Sequence, residues 1–355
     1  MTKRSEQLLE LDKILALTSS YAVLEESKEA LLSLEPTHDL AEARTLLATT
    51  EEATHLLFTL GVGRIEYFPP RGDMLERAEK GATLSCAELL DVARMLRSVR
   101  VLHDSVTSLA DDTVVIFRNL VERLVYDRRL EQEIGDKILS EDTVADNASE
   151  KLYSLRREIR QLGERIRARL SEYLSGEESK FLQDGIVTVR GDRYVIPVKA
   201  EYKRSIRGFV HDRSASGATV FIEPEEVLEM NNELRDLVID EKEEVERILK
   251  DLSRRIGKLR SALETSLALV QEADTFFARA EYGYSLKAVK PILNAKGIVD
   301  IVKGRHPLLD RKTAVPVSVS VGEKSRFLLC FFHIMVILSK LITLLSPKSK
   351  KRLLF

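Results

Sequence analysis

Residues 150–176 read EKLYSLRREIRQLGERIRARLSEYLSG and place Leu152, Leu155, Ile159, Leu162, Ile166, Leu170 and Tyr173 at steps of three and four. That spacing lays one narrow apolar stripe along a helix. Arg156, Arg157, Glu158, Arg160 and Glu164 fill the other faces. At about 1.5 Å per residue, a helix over 149–176 reaches roughly 40 Å, and so thin a stripe needs a partner along its length. A second stretch offers one. Val227, Met230, Leu234 and Leu237 begin the same rhythm, Glu241 interrupts it, and Val245, Ile248, Leu252, Ile256, Leu259 and Leu263 resume it. The two stretches are expected to pair antiparallel as a two-helix arm.

Between them the period changes. Ile186–Arg190, Tyr194–Val198, Arg207–His211 and Thr219–Ile222 are short β-type runs. Gly191-Asp192 separates the first two at hairpin length, with glycine first as a type II′ turn prefers. Glu223-Pro224-Glu-Glu then opens the second helix, proline in its first turn and acids at its positive end. An antiparallel arm brings its two ends together there, so the β unit is expected as its tip.

The flanking segments are plainer. Residues 5–140 read as successive helices: Leu8, Leu11, Ile14 and Leu15 share one face, and Glu35-Pro36 closes the opening pair. A further helix over about 39–60 stops at Gly61-Val-Gly63. Phe68–Asp73 is a loop, and Ser85 with Glu88 forms a capping box before Leu89, Leu90, Val92 and Leu96. Ile298–Val302 and Val317–Val321 look like strands with no larger sheet to join. The fold class is mainly α, with a small antiparallel β unit and the start of an α/β region at the end.

Net charge is −2 over 355 residues, so any polyanion-binding surface must be local. The tip is that place. Residues 185–222 hold Arg190, Arg193, Lys199, Lys203, Arg204, Arg207 and Arg213 against Asp192, Glu201 and Asp212, a net +4. Clustered cations release counterions from a phosphate backbone, which is the main source of non-specific affinity. Ser214, Ser216 and Thr219, around Gly217, add hydroxyl donors. A solvated hairpin surface would have the same composition, so both readings stand on spacing alone. His211, Asp212 and Ser214 are not a catalytic triad, because neighbouring strand residues point to opposite faces. No metal-ligand spacing occurs, and Cys86 and Cys330 suit a reducing compartment, with the cytoplasm as the expected location. A phosphate loop is missing too: Ser318 and Glu323 stand where Gly322-Glu-Lys-Ser325 would need its glycines.

In order, Gly185-Ile-Val-Thr, Arg193-Tyr-Val-Ile-Pro-Val-Lys199, His211-Asp-x-Ser-x-Ser-Gly217, Thr219-x-Phe-Ile-Glu-Pro224 and Asn231-Asn-Glu-Leu-Arg235 resemble the MutS-like ATPases, in particular the bacterial MutS-two branch. Gly304-Arg-His-Pro-Leu308 resembles the start of that family's ATPase domain. The resemblance implies a helical core and lever over 1–147, an ascending arm helix over 148–182, a clamp over 183–223, a descending helix and lever over 224–290, and an incomplete ATPase domain over 291–329. It implies homodimers whose clamps close on branched or double-stranded DNA, or on ribosomal RNA of the ribosome, using ATP and Mg. Family roles are recombination suppression and rescue of collided ribosomes, and full-length members end in a nuclease domain. Arg305 and His306 would mark the adenine side of the nucleotide.

The pattern departs after Phe327-Leu-Leu329, where Cys330–Phe355 replaces the phosphate loop. A tail anchor flanked by Lys348, Lys350, Lys351 and Arg352 is one reading, but Lys340 inside a bilayer would cost about 2.5–3.5 kcal/mol. An out-of-frame or truncated end is the preferred one, leaving no membrane partner and a chain expected to lack ATPase and nuclease activity. A coiled-coil scaffold that dimerises and binds only protein is the alternative function.

Overall fold

The computed structural model describes residues 10–322 except 71, 297 and 310–312. Leu8, Phe327–Leu329 and the tail 330–355 lie outside the described residues. The chain is mainly helical with small antiparallel sheets and forms two compact units, one from residues 1–73, 91–131 and 259–355, the other from 74–90 and 132–258.

In the first unit, α1 (Leu11–Ser19) and α2 (Glu25–Leu32) form the opening pair, and α3 (Leu40–His55) follows. Asp39 caps α3 by accepting from the Ala41 and Glu42 amides at 2.7 and 3.3 Å. A π-turn over Leu56–Leu60 ends it, and Gly61 supplies the left-handed exit at φ 69°. The chain continues through α4 (Met74–Glu79) and α5 (Cys86–Thr107), of which only residues 91–107 belong to this unit. Glu52 on α3 accepts from the Ile116 and Phe117 amides and so caps α6 (Ile116–Val121). The next elements are α7 (Arg128–Lys137), β1 (Ile138–Ser140) and β2 (Thr143–Val144). The long helix over Arg260–Ser285 lines the core of the first unit with Leu267, Val270, Ala273, Phe276 and Phe277. Phe277 stacks on Phe117 at 5.0 Å and lies against Gly63, where a Cβ would stand 2.7 Å from the ring. Asp274 is buried and accepts from the Leu24 amide at 2.9 Å, fixing the approach to α2.

The second unit contains the arm. Ser149 caps α8 (Glu150–Ser175) through the Leu152 amide at 3.0 Å, and α9 (Glu225–Lys258) returns beside it. The antiparallel register is marked by Arg169 with Glu226, Arg156 with Glu241 and Ser149 with Glu244. Leu152, Leu155, Leu162, Ile166 and Leu170 of α8 are buried, as are Val227, Leu234, Ile248, Leu252 and Ile256 of α9. Two details of the expected seam differ. Glu244 is buried at the polar break while Val245 is only half-buried, because the Ser149 hydroxyl and the Arg247 guanidinium satisfy the carboxylate. The helix also breaks at Leu259, so Leu263 belongs to the next helix, α10 (Arg260–Ser285), and to the other unit. Near its end α9 meets α4 at Gly257, where a Cβ would lie 2.6 Å from the Ala78 carbonyl oxygen. The capping box is present: the Ser85 amide donates to Glu88 and the Glu88 amide to the Ser85 hydroxyl.

Between α8 and α9 stands a sheet of β3 (Thr188–Arg190), β4 (Arg193–Lys199), β5 (Gly208–Arg213) and β6 (Thr219–Pro224), ordered β3-β4-β6-β5. Ile196, Val198, Val220 and Ile222 share a core with Leu162, Ile166, Leu170, Val227 and Leu234 of the two helices. The β3–β4 turn has φ 58° at Gly191 and 63° at Asp192. Two positive angles make it type I′ rather than the expected II′, since aspartate tolerates the left-handed region. In the first unit, β7 (Val299–Gly304) and β8 (Val317–Val321) pair antiparallel with each other, and among the described residues no further strand joins them.

Candidate nucleic-acid interface

The sheet lies along the last turns of the arm as well as at its end. Tyr194, early in β4, donates its amide to the Asn231 side chain of α9 at 3.1 Å, and its hydroxyl accepts from Arg167 of α8 at 2.8 Å. Gly163 makes room for that ring, since a Cβ there would approach the Tyr194 hydroxyl at 3.2 Å. Five residues on, Lys199 is level with Thr219, so β4 spans about 20 Å between its two ends. The seven cations found by sequence therefore do not form one patch.

At the end nearer the helices, Arg193 is locked. Its guanidinium donates to Glu223 at 2.7 Å and to Asn232 at 2.6 Å, and its side chain is only 15% exposed. Glu223 is fully buried and also accepts from Asn231 at 2.7 Å and pairs with His211. His211 reaches it because β5 is irregular there: Val210 pairs with Ile222 and Asp212 with Phe221, so His211 is the extra residue. Arg190 is exposed but engaged, 3.5 Å from Asp212 and with its guanidinium 4.4 Å from the centre of the Phe221 ring. Arg207 is exposed, and its carbonyl accepts from the Glu225 amide.

The opposite end is different. Lys203 and Arg204 project from the connection between β4 and β5, both exposed and without an ion pair among the described residues. Arg213 closes β5, exposed and equally unpaired. Lys199 gives its ammonium only to the Lys180 carbonyl at 3.2 Å. Lys180 itself is exposed, its ammonium lying 5.1 Å from the Phe181 ring centre, and that ring meets Tyr202 at 5.0 Å. Lys180, Phe181 and Tyr202 escaped the sequence reading. Lys180 and Phe181 lie before the β runs, and only the bridge of Leu182 to Val198 brings their segment to the sheet.

The hydroxyl loop mostly serves its own turn. Ser214 accepts from the Thr219 amide at 3.0 Å and lies 3.3 Å from the Ser216 hydroxyl, while Gly217 takes φ 72°. Ser216 remains exposed, and Ser214 and Thr219 are half-buried. Along α8, Arg157 and Arg165 are exposed and unpaired among the described residues. Arg305 donates to the Ala314 carbonyl at 3.4 Å and the His306 ring accepts from the Leu308 amide at 3.3 Å, so both shape a turn. Among the described residues no group of three or more His, Cys, Asp or Glu could hold a metal ion, and no helix is long and apolar enough to cross a membrane.

No family model matches the chain. Similarity to individual proteins is extensive. The endonuclease MutS2 of Clostridium botulinum (strain Eklund 17B / Type B) is 38% identical over 328 residues, 91% of this chain and 41% of that protein. The endonuclease MutS2 of Clostridium perfringens (strain SM101 / Type A) is 37% identical over 330 residues, 93% of this chain and 42% of that protein. The chain thus spans about two fifths of the length of these relatives.

Proposed function

We propose, for a chain that belongs over the segment it spans to the MutS2 branch of the MutS-like family, that the β unit is a nucleic-acid clamp held on a two-helix lever. The observation that carries this reading is the group of cations without acidic partners, Lys199 and Arg213 on one small sheet and Lys180, Lys203 and Arg204 on the segments next to it, beside Phe181 and Tyr202. Such cations are available to phosphates, and rings beside them suit exposed bases. Arg193 and Arg190, by contrast, work as fasteners of the sheet. The relatives are named as endonucleases, which supports DNA as the polyanion, with ribosomal RNA as the second candidate. ATP with Mg, dimer formation and the nuclease step are assigned to the whole protein in the cytoplasm and not to these residues. The scaffold alternative is less well supported, because the apolar seams of α8 and α9 are buried against each other within one chain.

The test is fluorescence anisotropy of the 355-residue chain with double-stranded DNA, four-way branched DNA and ribosomal RNA at two salt concentrations. Binding should weaken with salt, and Lys203→Glu with Arg204→Glu should weaken it further on every nucleic acid that binds. Salt-independent binding, or binding indifferent to that double substitution, would sink the proposal.

A further inference from the structure

A separate cleft in the first unit has chemistry that the clamp does not use. It encloses about 1120 Å³ between α3, the π-turn, the end of α10 and the segment 287–291. That volume is large enough for a small organic ligand. Arg279 lines it, half-buried, its guanidinium 4.8 Å from the centre of the Phe276 ring and with no hydrogen bond or ion pair among the described residues. A buried guanidinium normally has acceptors, because leaving its donors unmet is costly. Burial also holds it below its ordinary pKa, and the charge of Glu272, which makes no ion pair with it, offsets this only in part.

The rest of the cleft complements that arginine. Glu51 is its only lining carboxylate, and Lys290 neutralises it. Lys287 adds a second cation with no ion pair among the described residues, and its position is unusual. The helix ends with the Lys287 amide on the Tyr284 carbonyl and the Ala288 amide on the Gly283 carbonyl, each at 2.9 Å. In this Schellman ending Lys287 takes φ 51°, the place usually filled by glycine. On the same wall, Phe58 and Tyr284 stack at 3.7 Å and remain 41% and 58% exposed, leaving ring surface open to a further planar group.

The geometry points to a binding site for a mononucleotide, its phosphate on Arg279 and Lys287 and its base against the Phe58–Tyr284 pair. The site is independent of the clamp and its cations. The experiment is titration of the full chain with AMP, adenosine and inorganic phosphate, read by calorimetry and by thermal shift. AMP should bind more tightly than either part. Arg279→Gln should weaken AMP about tenfold or more, as loss of a charge-assisted hydrogen bond does. Lys287→Gly should weaken it about threefold while leaving the melting temperature equal or higher, because glycine suits the left-handed position. This second variant keeps the test decisive if Arg279→Gln fails to fold. No AMP binding tighter than about 10 mM would overturn the assignment. So would AMP affinity unchanged by the substitutions, or adenosine or inorganic phosphate binding as tightly as AMP.

Discussion

Arg193, at the start of β4, donates at 2.7 Å to the carboxylate of Glu223, a residue of β6 with no solvent exposure. Asn231 of α9 joins the same carboxylate, so one buried charge ties two strands to the arm. Arg193→Ala should destabilise the chain by about 1.5–3 kcal/mol, because it removes a charge-assisted hydrogen bond from a buried carboxylate that keeps only His211 and Asn231. Lys203→Ala should stay within about 0.5 kcal/mol of the parent, as for an exposed residue with no contacts. Urea unfolding of the two variants distinguishes a fastener from a surface cation; equal midpoints would refute the distinction.

The salt dependence of binding is the second expectation. If Lys203 and Arg204 each face a phosphate, alanine at either one should lower the slope of log affinity against log salt by about one, uniformly across sequences. A slope that does not move identifies a residue that touches no phosphate.

At Gly257, helix propensity and packing oppose each other. Alanine would favour the helix by about 1 kcal/mol, but its Cβ would stand 2.6 Å from the Ala78 carbonyl oxygen. Backbone cannot step aside as a side chain can, and overpacking costs about 1–3 kcal/mol. Gly257→Ala should therefore melt lower than the parent; a higher melting temperature would show that α4 and α9 can separate at no cost.

Acid should loosen the arm at its polar break. The Arg247 guanidinium, helped by the Ser149 hydroxyl, holds the Glu244 carboxyl at about 2 against an ordinary 4.5. A lowered carboxyl stabilises fully above its unfolded value, and that contribution disappears as pH falls from about 4.5 to about 2. Urea unfolding through that window should show a smaller acid loss for Glu244→Gln than for the parent. Identical slopes would mean that Glu244 does not carry the effect.

The arm was legible because a heptad stripe is a local, repeated signal whose partner repeats it. The β unit was legible for the same reason: Ile196, Val198, Val220 and Ile222 alternate toward one core. Charge at the site was less so. Counting gave Arg193 the same weight as Lys203, although its partner Glu223 lies thirty residues on and only strand pairing brings them together. The buried acid at Glu244 was missed because Val245 was the apolar choice, and the carboxylate is satisfied inside the seam by Arg247 together with Ser149, ninety-five residues earlier. Lys180 and Phe181 fell outside the charged window because a single isolated bridge places them against the sheet.

The helix α9 is fixed by contact at two separated places, Asn232 on Arg193 and Gly257 on Ala78. Twenty-five residues at 3.6 per turn bring those positions to within about 20° of one another around the axis, about 38 Å apart. The two contacts therefore lie on nearly the same side of the helix, and rotation of α9 about its axis would break both together.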